Sequence, residues 1–220
     1  MSVNNEQNME KTILDAAEKL FLEKGFAMVS TTQIAKAAGC NQALVHYYFR
    51  TKDRLFEAIF AEKLKTFFSV IFQTREESLP FEEKLKKYIG AHFDMLMANP
   101  KLPFLVMNEL TTNPDRIDSL KESLGQSISH VYGPFQEELD VEIVAGRIRP
   151  TTIPDIIYSM VALNVMAFIG APIMKKILVI NDDFFNFMLM HRKEENIRVI
   201  INSLKPDVET QSEKKTKKRK

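Results

Sequence analysis

The chain has 220 residues, 45% hydrophobic and 27% charged, with 30 Lys/Arg against 29 Asp/Glu. That balance excludes a disordered polyelectrolyte, and the length allows one large or two small domains with a sizeable core. Charge is unevenly placed: residues 205–220 hold seven Lys/Arg and three Asp/Glu, a surplus of four, so the other 204 residues sum to −3. Any polyanion bound outside the tail must therefore be met by locally placed donors rather than bulk charge. The single cysteine, Cys40, excludes an internal disulfide, and residues 1–8 are polar, without the apolar core of a secretory leader. Both fit a cytoplasmic protein.

Residues 9–24 predict the first helix, because Ile13, Ala16, Ala17, Leu20, Phe21 and Lys24 recur at helical spacing and make one apolar stripe with a charged end. Gly25 closes it, and Phe26 can fold back onto its last turn. Two short helices are expected at 31–38 and 42–48. Ser30 with Gln33 has the capping-box spacing, Gly39 supplies a left-handed residue between the helices, and Asn41 caps the second. Ile34, Ala35, Ala38, Val45 and Phe49 would face inward and close a three-helix core. A longer helix begins after Thr51, with Asp53 in its first turn, and continues through Leu55, Phe56, Ile59 and Phe60 to about residue 75.

Beyond Pro80, helices are expected over 81–98, 102–112 and 114–144, with Gly133-Pro134 a point where the last could break. Asn99-Pro100 and Asn113-Pro114 are stop signals, since a residue before proline avoids the helical region. Thr152 can cap a helix that carries Pro154 and Asp155 in its first turn and runs to 169. A final helix spans 182 or 183 to about 204. Residues 156–174 carry no formal charge and approach the length of a bilayer span, but Ser159, Asn164, Gly170 and Pro172 interrupt them, so they are read as a buried helix and not a membrane segment. There is no internal repeat and no sustained strand alternation. The expectation is an all-α fold in three parts, 9–55, 56–204 and a disordered basic tail at 205–220.

Two short helices joined by a tight turn form the unit that lays its second helix in a DNA major groove. With Gly25-Phe26, Ile34-Ala35-x-x-Ala38-Gly39 and Leu44-x-x-Tyr47-Tyr48-Phe49-x-x-Lys52-x-x-Leu55 in view, residues 13–55 resemble the tetracycline-repressor (TetR) family of bacterial transcriptional regulators. The chain departs from the family pattern at Cys40-Asn41, where Val-Ser is usual, at Ala43, where Gly or Pro is frequent, and at His46, most often Tyr. The resemblance implies a helix-turn-helix DNA-binding domain at 9–55 and a larger helical effector-binding and dimerisation domain at 56–204. It further implies a homodimer on a near-palindromic double-stranded operator and a repressor released by a small molecule, with no cofactor or metal.

By the same resemblance the N-terminal half of the second short helix meets base edges. Gln42 is the residue there suited to a bidentate contact with adenine N7 and N6, and Ala43 and Leu44 would touch thymine methyls. His46, Tyr47 and Tyr48 have polar tips able to reach phosphate, although one of the adjacent tyrosines should turn to the core. Lys52, at the start of the next helix, is expected on phosphate, and Thr31 and Thr32 match positions that grip the flanking backbone. Cys40 either fills a small apolar slot or, if oxidised, would switch binding.

In the second part Phe68, Phe72, Phe93, Met97, Phe104, Met107 and Met166, with Asn108, Tyr132 and Tyr158, are candidates to line a pocket for an apolar or aromatic effector, though methionine and phenylalanine also make plain core. The helices near 154–169 and 183–204 are the expected dimer surfaces, with Phe184, Phe187, Met188, His191, Val199 and Ile200 apolar enough to need a partner. The four histidines are far apart and no HExxH, GxSxG, Walker or CxxC pattern occurs, so no enzyme is expected. The competing reading is a helical interaction protein that binds nucleic acid without specificity through its basic tail.

Overall fold

The structure is a computed structural model and describes residues 3–76 and 78–206. The expected disordered tail therefore lies, from residue 207 on, outside the described residues. Among the described residues regular structure is entirely helical: α1 Val3–Lys24, α2 Thr31–Ala37, α3 Gln42–Phe49, α4 Lys52–Glu76, α5 Phe81–Ala98, α6 Leu102–Thr112, α7 Asp115–Val144, α8 Ile153–Ile169, α9 Ala171–Leu178 and α10 Asp182–Ser203. The all-α expectation holds.

Two compact units result, one of Met1–Thr66 with Asn99–Gly125, the other of Phe67–Ala98 with Gln126–Lys220. In the first, Ile13, Ala17 and Phe21 of α1 close on Ile34 and Ala35 of α2, Val45 and Phe49 of α3, and Leu55, Phe56 and Ile59 of α4. This is the three-helix core with α4 added. Leu105 of α6 is buried in the same cluster, which joins residues 99–125 to the first unit. A Lys63–Glu18 ion pair at 2.9 Å, itself largely shielded, ties α4 to α1.

In the second unit α5 packs against α8 and α10 around Phe81, Leu85, Ile89, Leu139, Ile153, Ile156, Met160 and Ile200, and a neighbouring cluster holds Phe93, Leu96, Phe168, Phe185 and Leu189. α7 does not break at Gly133-Pro134. Proline removes one rung of the helical ladder, but Val131, Phe135 and Leu139 on either side of it pack into a single core, with the Phe135 ring stacked 5.1 Å from Phe81. Tertiary packing overrides the local signal.

Two features were absent from the expectation. α1 starts six residues earlier than the expected residue 9, and α9 follows α8 directly, through Gly170, with Pro172 in its first turn. No single described helix is long and apolar enough to cross a membrane; α8 and α9 reach that length only as a pair bent by 52°. One face of α8, carrying Ile153, Ile156, Met160, Asn164 and Phe168, is buried in the protein.

Candidate nucleic-acid interface

The turn between α2 and α3 follows from its sequence. Ser30 Oγ accepts from the Gln33 amide at 3.2 Å, and the Gln33 side-chain oxygen accepts from the Ser30 amide at 2.9 Å, a complete capping box. At the other end Gly39 sits at φ +68, which a Cβ would strain, and lets Cys40 N–H reach Ala35 O at 3.0 Å and Gly39 N–H reach Lys36 O at 3.3 Å. These are the two bonds of a Schellman ending. Asn41 then accepts from the Leu44 amide at 2.9 Å and starts α3. Three caps within twelve residues fix the crossing of two helices too short to be stable alone.

With Val45 and Phe49 buried, α3 turns Gln42, Ala43, His46 and Tyr47 outward. Leu44 and Tyr48 are half-buried and pack against the core, while Tyr47 is 71% exposed with its ring edge-on to Tyr48 at 5.1 Å. One of the two tyrosines therefore serves the core, as adjacency on a helix demands. Thr31, Thr32, Gln42 and His46 are brought together: Thr32 Oγ1 donates to Gln42 Oε1 at 3.2 Å, Gln42 Nε2 donates to Thr31 Oγ1 at 3.0 Å, and the same nitrogen lies 3.3 Å from His46 Nε2. His46 Nδ1 is 2.9 Å from the carbonyl of Arg50.

Lys52 is placed otherwise than expected. Its ammonium donates to the carbonyls of Phe26 and Val29, both at 2.9 Å, and lies 4.2 Å from the Phe26 ring centre. The charge is turned inward onto the α1–α2 loop. Beside it, Arg116 of α7 stacks its guanidinium on Phe26 at 3.9 Å, donates to Asp53 Oδ1 at 2.7 Å and approaches the buried Glu109 carboxylate at 3.6 Å. Arg116 Nη1 is buried without a hydrogen-bond partner. Cys40 is half-buried, and desolvation raises its thiol above the ordinary value, which disfavours the reactive thiolate.

The ten pocket candidates do not share one environment. Phe104, Met107 and Asn108 belong to the first unit and are exposed. Of the rest, Phe93 is fully buried core, Phe68 and Met97 pack against cores, and Phe72, Tyr132, Tyr158 and Met166 are exposed. A polar chain runs through the interior instead: Arg192 donates to Asn196 at 2.7 Å, Asn196 to Asn164 at 2.8 Å, and Asn164 to the carbonyl of Ile89 at 3.0 Å, with His92 Nδ1 at 3.1 Å. Burial pushes the His92 imidazole down to about 4. No group of three His, Cys, Asp or Glu among the described residues could hold a metal.

Residues 13–59, which contain this capped bihelical unit, match the model of the bacterial regulatory proteins of the tetR family. Residues 13–59 are a tetR-family domain. It is 30% identical over 134 residues to the fatty acid metabolism regulator protein of Bacillus subtilis, covering 61% of this chain and 66% of that protein, and 26% identical over 97 residues to the transcriptional repressor NicS of Pseudomonas putida, covering 44% and 46%. The chain thus spans just under two thirds of the first relative's length and under half of the second's. Among solved structures, FadR of B. subtilis in complex with stearoyl-CoA superposes with a TM-score of 0.68 at 20% identity, over 88% of this chain and 98% of that one. A tetR-family regulator of Shewanella gives 0.64 at 19%, over 90% and 99%. At these identities the structures speak for the fold. The matched family is one of bacterial regulatory proteins.

One residue at the candidate interface escaped sequence reasoning. Arg50 ends α3 at φ 59, ψ −51, and its carbonyl meets His46. A non-glycine residue at positive φ carries no compositional signal, so nothing marked it beforehand.

Proposed function

We propose that the chain is a sequence-specific DNA-binding transcriptional regulator that reads its operator with α3. The observation that carries this is the division of α3 into a buried face, Val45 and Phe49, and an exposed face of Gln42, Ala43, His46 and Tyr47, held rigid by the caps on either side of Gly39. Tyr47 and Thr31, with the exposed Lys36 and Arg50, supply phosphate contacts that set register without reading sequence. The protein works as a homodimer through the exposed apolar faces of α8 and α10, represses, and is cytoplasmic. The effector is an apolar small molecule acting on the second unit, and α4 and α7, each of which contributes residues to both units, relay its binding as a population shift. Long-chain acyl thioesters are the class to test first, because the FadR structure holds stearoyl-CoA.

Selection of binding sites from a randomised DNA pool tests this reading. The full chain, and the chain lacking residues 205–220, should enrich the same near-palindromic sequence. Enrichment that disappears with the tail would favour the nonspecific interaction protein instead. Stearoyl-CoA should then release the protein from the selected site. If it does not, that effector class is wrong while the DNA assignment stands.

A further inference from the structure

Gln42 is the exposed amide of the reading helix, yet its side chain is held. The origin lies at the far end of α3. Arg50 adopts φ 59, ψ −51 and Thr51 N–H closes onto Phe49 O at 2.6 Å, a three-residue turn that non-glycine residues rarely enter. The buried Phe49 ring on one side and the start of α4 on the other, where Thr51 Oγ1 accepts from the Arg54 amide at 3.2 Å, hold it there. The turn aims the Arg50 carbonyl at His46 Nδ1, 2.9 Å away.

A carbonyl can only accept, so the neutral imidazole carries its proton on Nδ1 and presents a lone pair at Nε2. That lone pair faces Gln42 at 3.3 Å and can only accept, so it must meet the amide nitrogen and not the amide oxygen. One Nε2 proton of Gln42 goes to His46 and the other to Thr31 Oγ1, while Oε1 accepts from Thr32. Both amide protons are engaged within the protein, and one lone pair of Oε1 remains for an outside partner.

We propose that this clamp makes Gln42 an acceptor-only reader: Oε1 takes an N–H from an exocyclic amino group in the major groove, N6 of adenine or N4 of cytosine, with His46 the positioning residue that sets the sense of the amide. This rests on α3 being the DNA-reading helix. The bidentate adenine contact expected from the sequence requires an amide proton for N7. Neither is available while His46 and Thr31 hold them.

Two measurements on the full-length chain decide the matter. Nitrogen-15 NMR of the free protein at pH 8, with His46 assigned by its loss in His46→Phe, should show a protonated Nδ1 and an unprotonated Nε2. The opposite tautomer, or fast averaging between the two, overturns the clamp. In randomised-site selection the wild type should accept both adenine and cytosine at the Gln42 position, by roughly tenfold over guanine and thymine. Gln42→Ala should lose that preference, and His46→Phe, which frees an amide proton, should narrow it to adenine. A wild type that takes adenine alone, or a His46→Phe variant with the wild-type profile, overturns the proposal. A wild type that selects no sequence refutes α3 as the reading helix and the specificity with it, whereas the tautomer still reports whether the clamp exists.

Discussion

Lys52 shows how a basic residue inside a recognition motif can be absorbed by the fold. Its ammonium bridges two loop carbonyls over the Phe26 ring, and hydrogen bonds from a charged donor contribute about 1.5–3 kcal/mol. Lys52→Met should therefore lower the stability of the protein by about that amount and leave the salt dependence of DNA binding unchanged. A slope of log K against log salt that falls by about one, at wild-type stability, would return Lys52 to the phosphate role. Arg116 makes a sharper case, because its partner Glu109 has a side chain only 4% exposed. Arg116→Met leaves that carboxylate uncompensated and should cost about 3–5 kcal/mol, whereas Arg116→Met with Glu109→Met together should recover most of it, since a buried pair replaced by apolar groups is near neutral. Urea unfolding of the three chains measures both terms, and a double variant no better than the single one would assign the loss to the Phe26 stacking. At this scale exposure and the helix caps were legible in advance, and the side-chain bonds made to loop carbonyls were not. Caps and helical spacing suffice to turn Gln42 and His46 outward, but which carbonyl Lys52 or His46 meets depends on loop geometry that residue type does not encode.

At the scale of elements, helix ends that carry a chemical signal were legible. α5, α6 and α8 end or begin at proline and cap residues, and their limits follow from them. The start of α1 lacked any apolar period to read, and α9 hid behind a Gly-x-Pro that elsewhere stops a helix. The link between α5, α8 and α10 was equally invisible: Asn164 and Asn196, fully buried, bond to each other and to Ile89 and His92. His92 gives this network a pH signature. Its folded-state value of about 4 lies below the 6.5 of an unperturbed imidazole, so below pH 6.5 the unfolded chain binds a proton that the folded one refuses. Stability is thus full above that pH and declines as pH falls toward 4, by about 3 kcal/mol in total. The difference in unfolding free energy between the wild type and His92→Gln, followed from pH 7.5 to 4.5, isolates this residue from the carboxylates. The wild type should lose ground steadily below pH 6.5, and two parallel curves would show that His92 takes up its proton in place.

For the whole molecule the open question is what covers the apolar surface of the second unit. α8 exposes Ile157, Tyr158, Val161 and Met166, and α10 exposes Phe184, Phe187, Met190 and Val199. Met166 and Phe187 line one open groove of about 1050 Å³, whose charged members, Arg192, Glu195 and Arg198, all lie on α10. A row of this size is more than scattered surface apolar residues require, and a second copy laying the same two helices across it would bury both at once. Two-fold symmetry would also set two α3 helices about 34–36 Å apart, or a multiple of that, for successive major-groove faces. Met166→Glu with Phe187→Glu places like charges on both sides of that contact without touching the buried cores. The variant should keep its helical circular dichroism, sediment as a monomer, and bind the selected operator more weakly by about 10²-fold or more, the advantage lost when two linked contacts become one. A variant that remains dimeric would move the interface elsewhere. A monomer with undiminished affinity would mean that one reading helix suffices, and the expected palindrome would then have no physical basis.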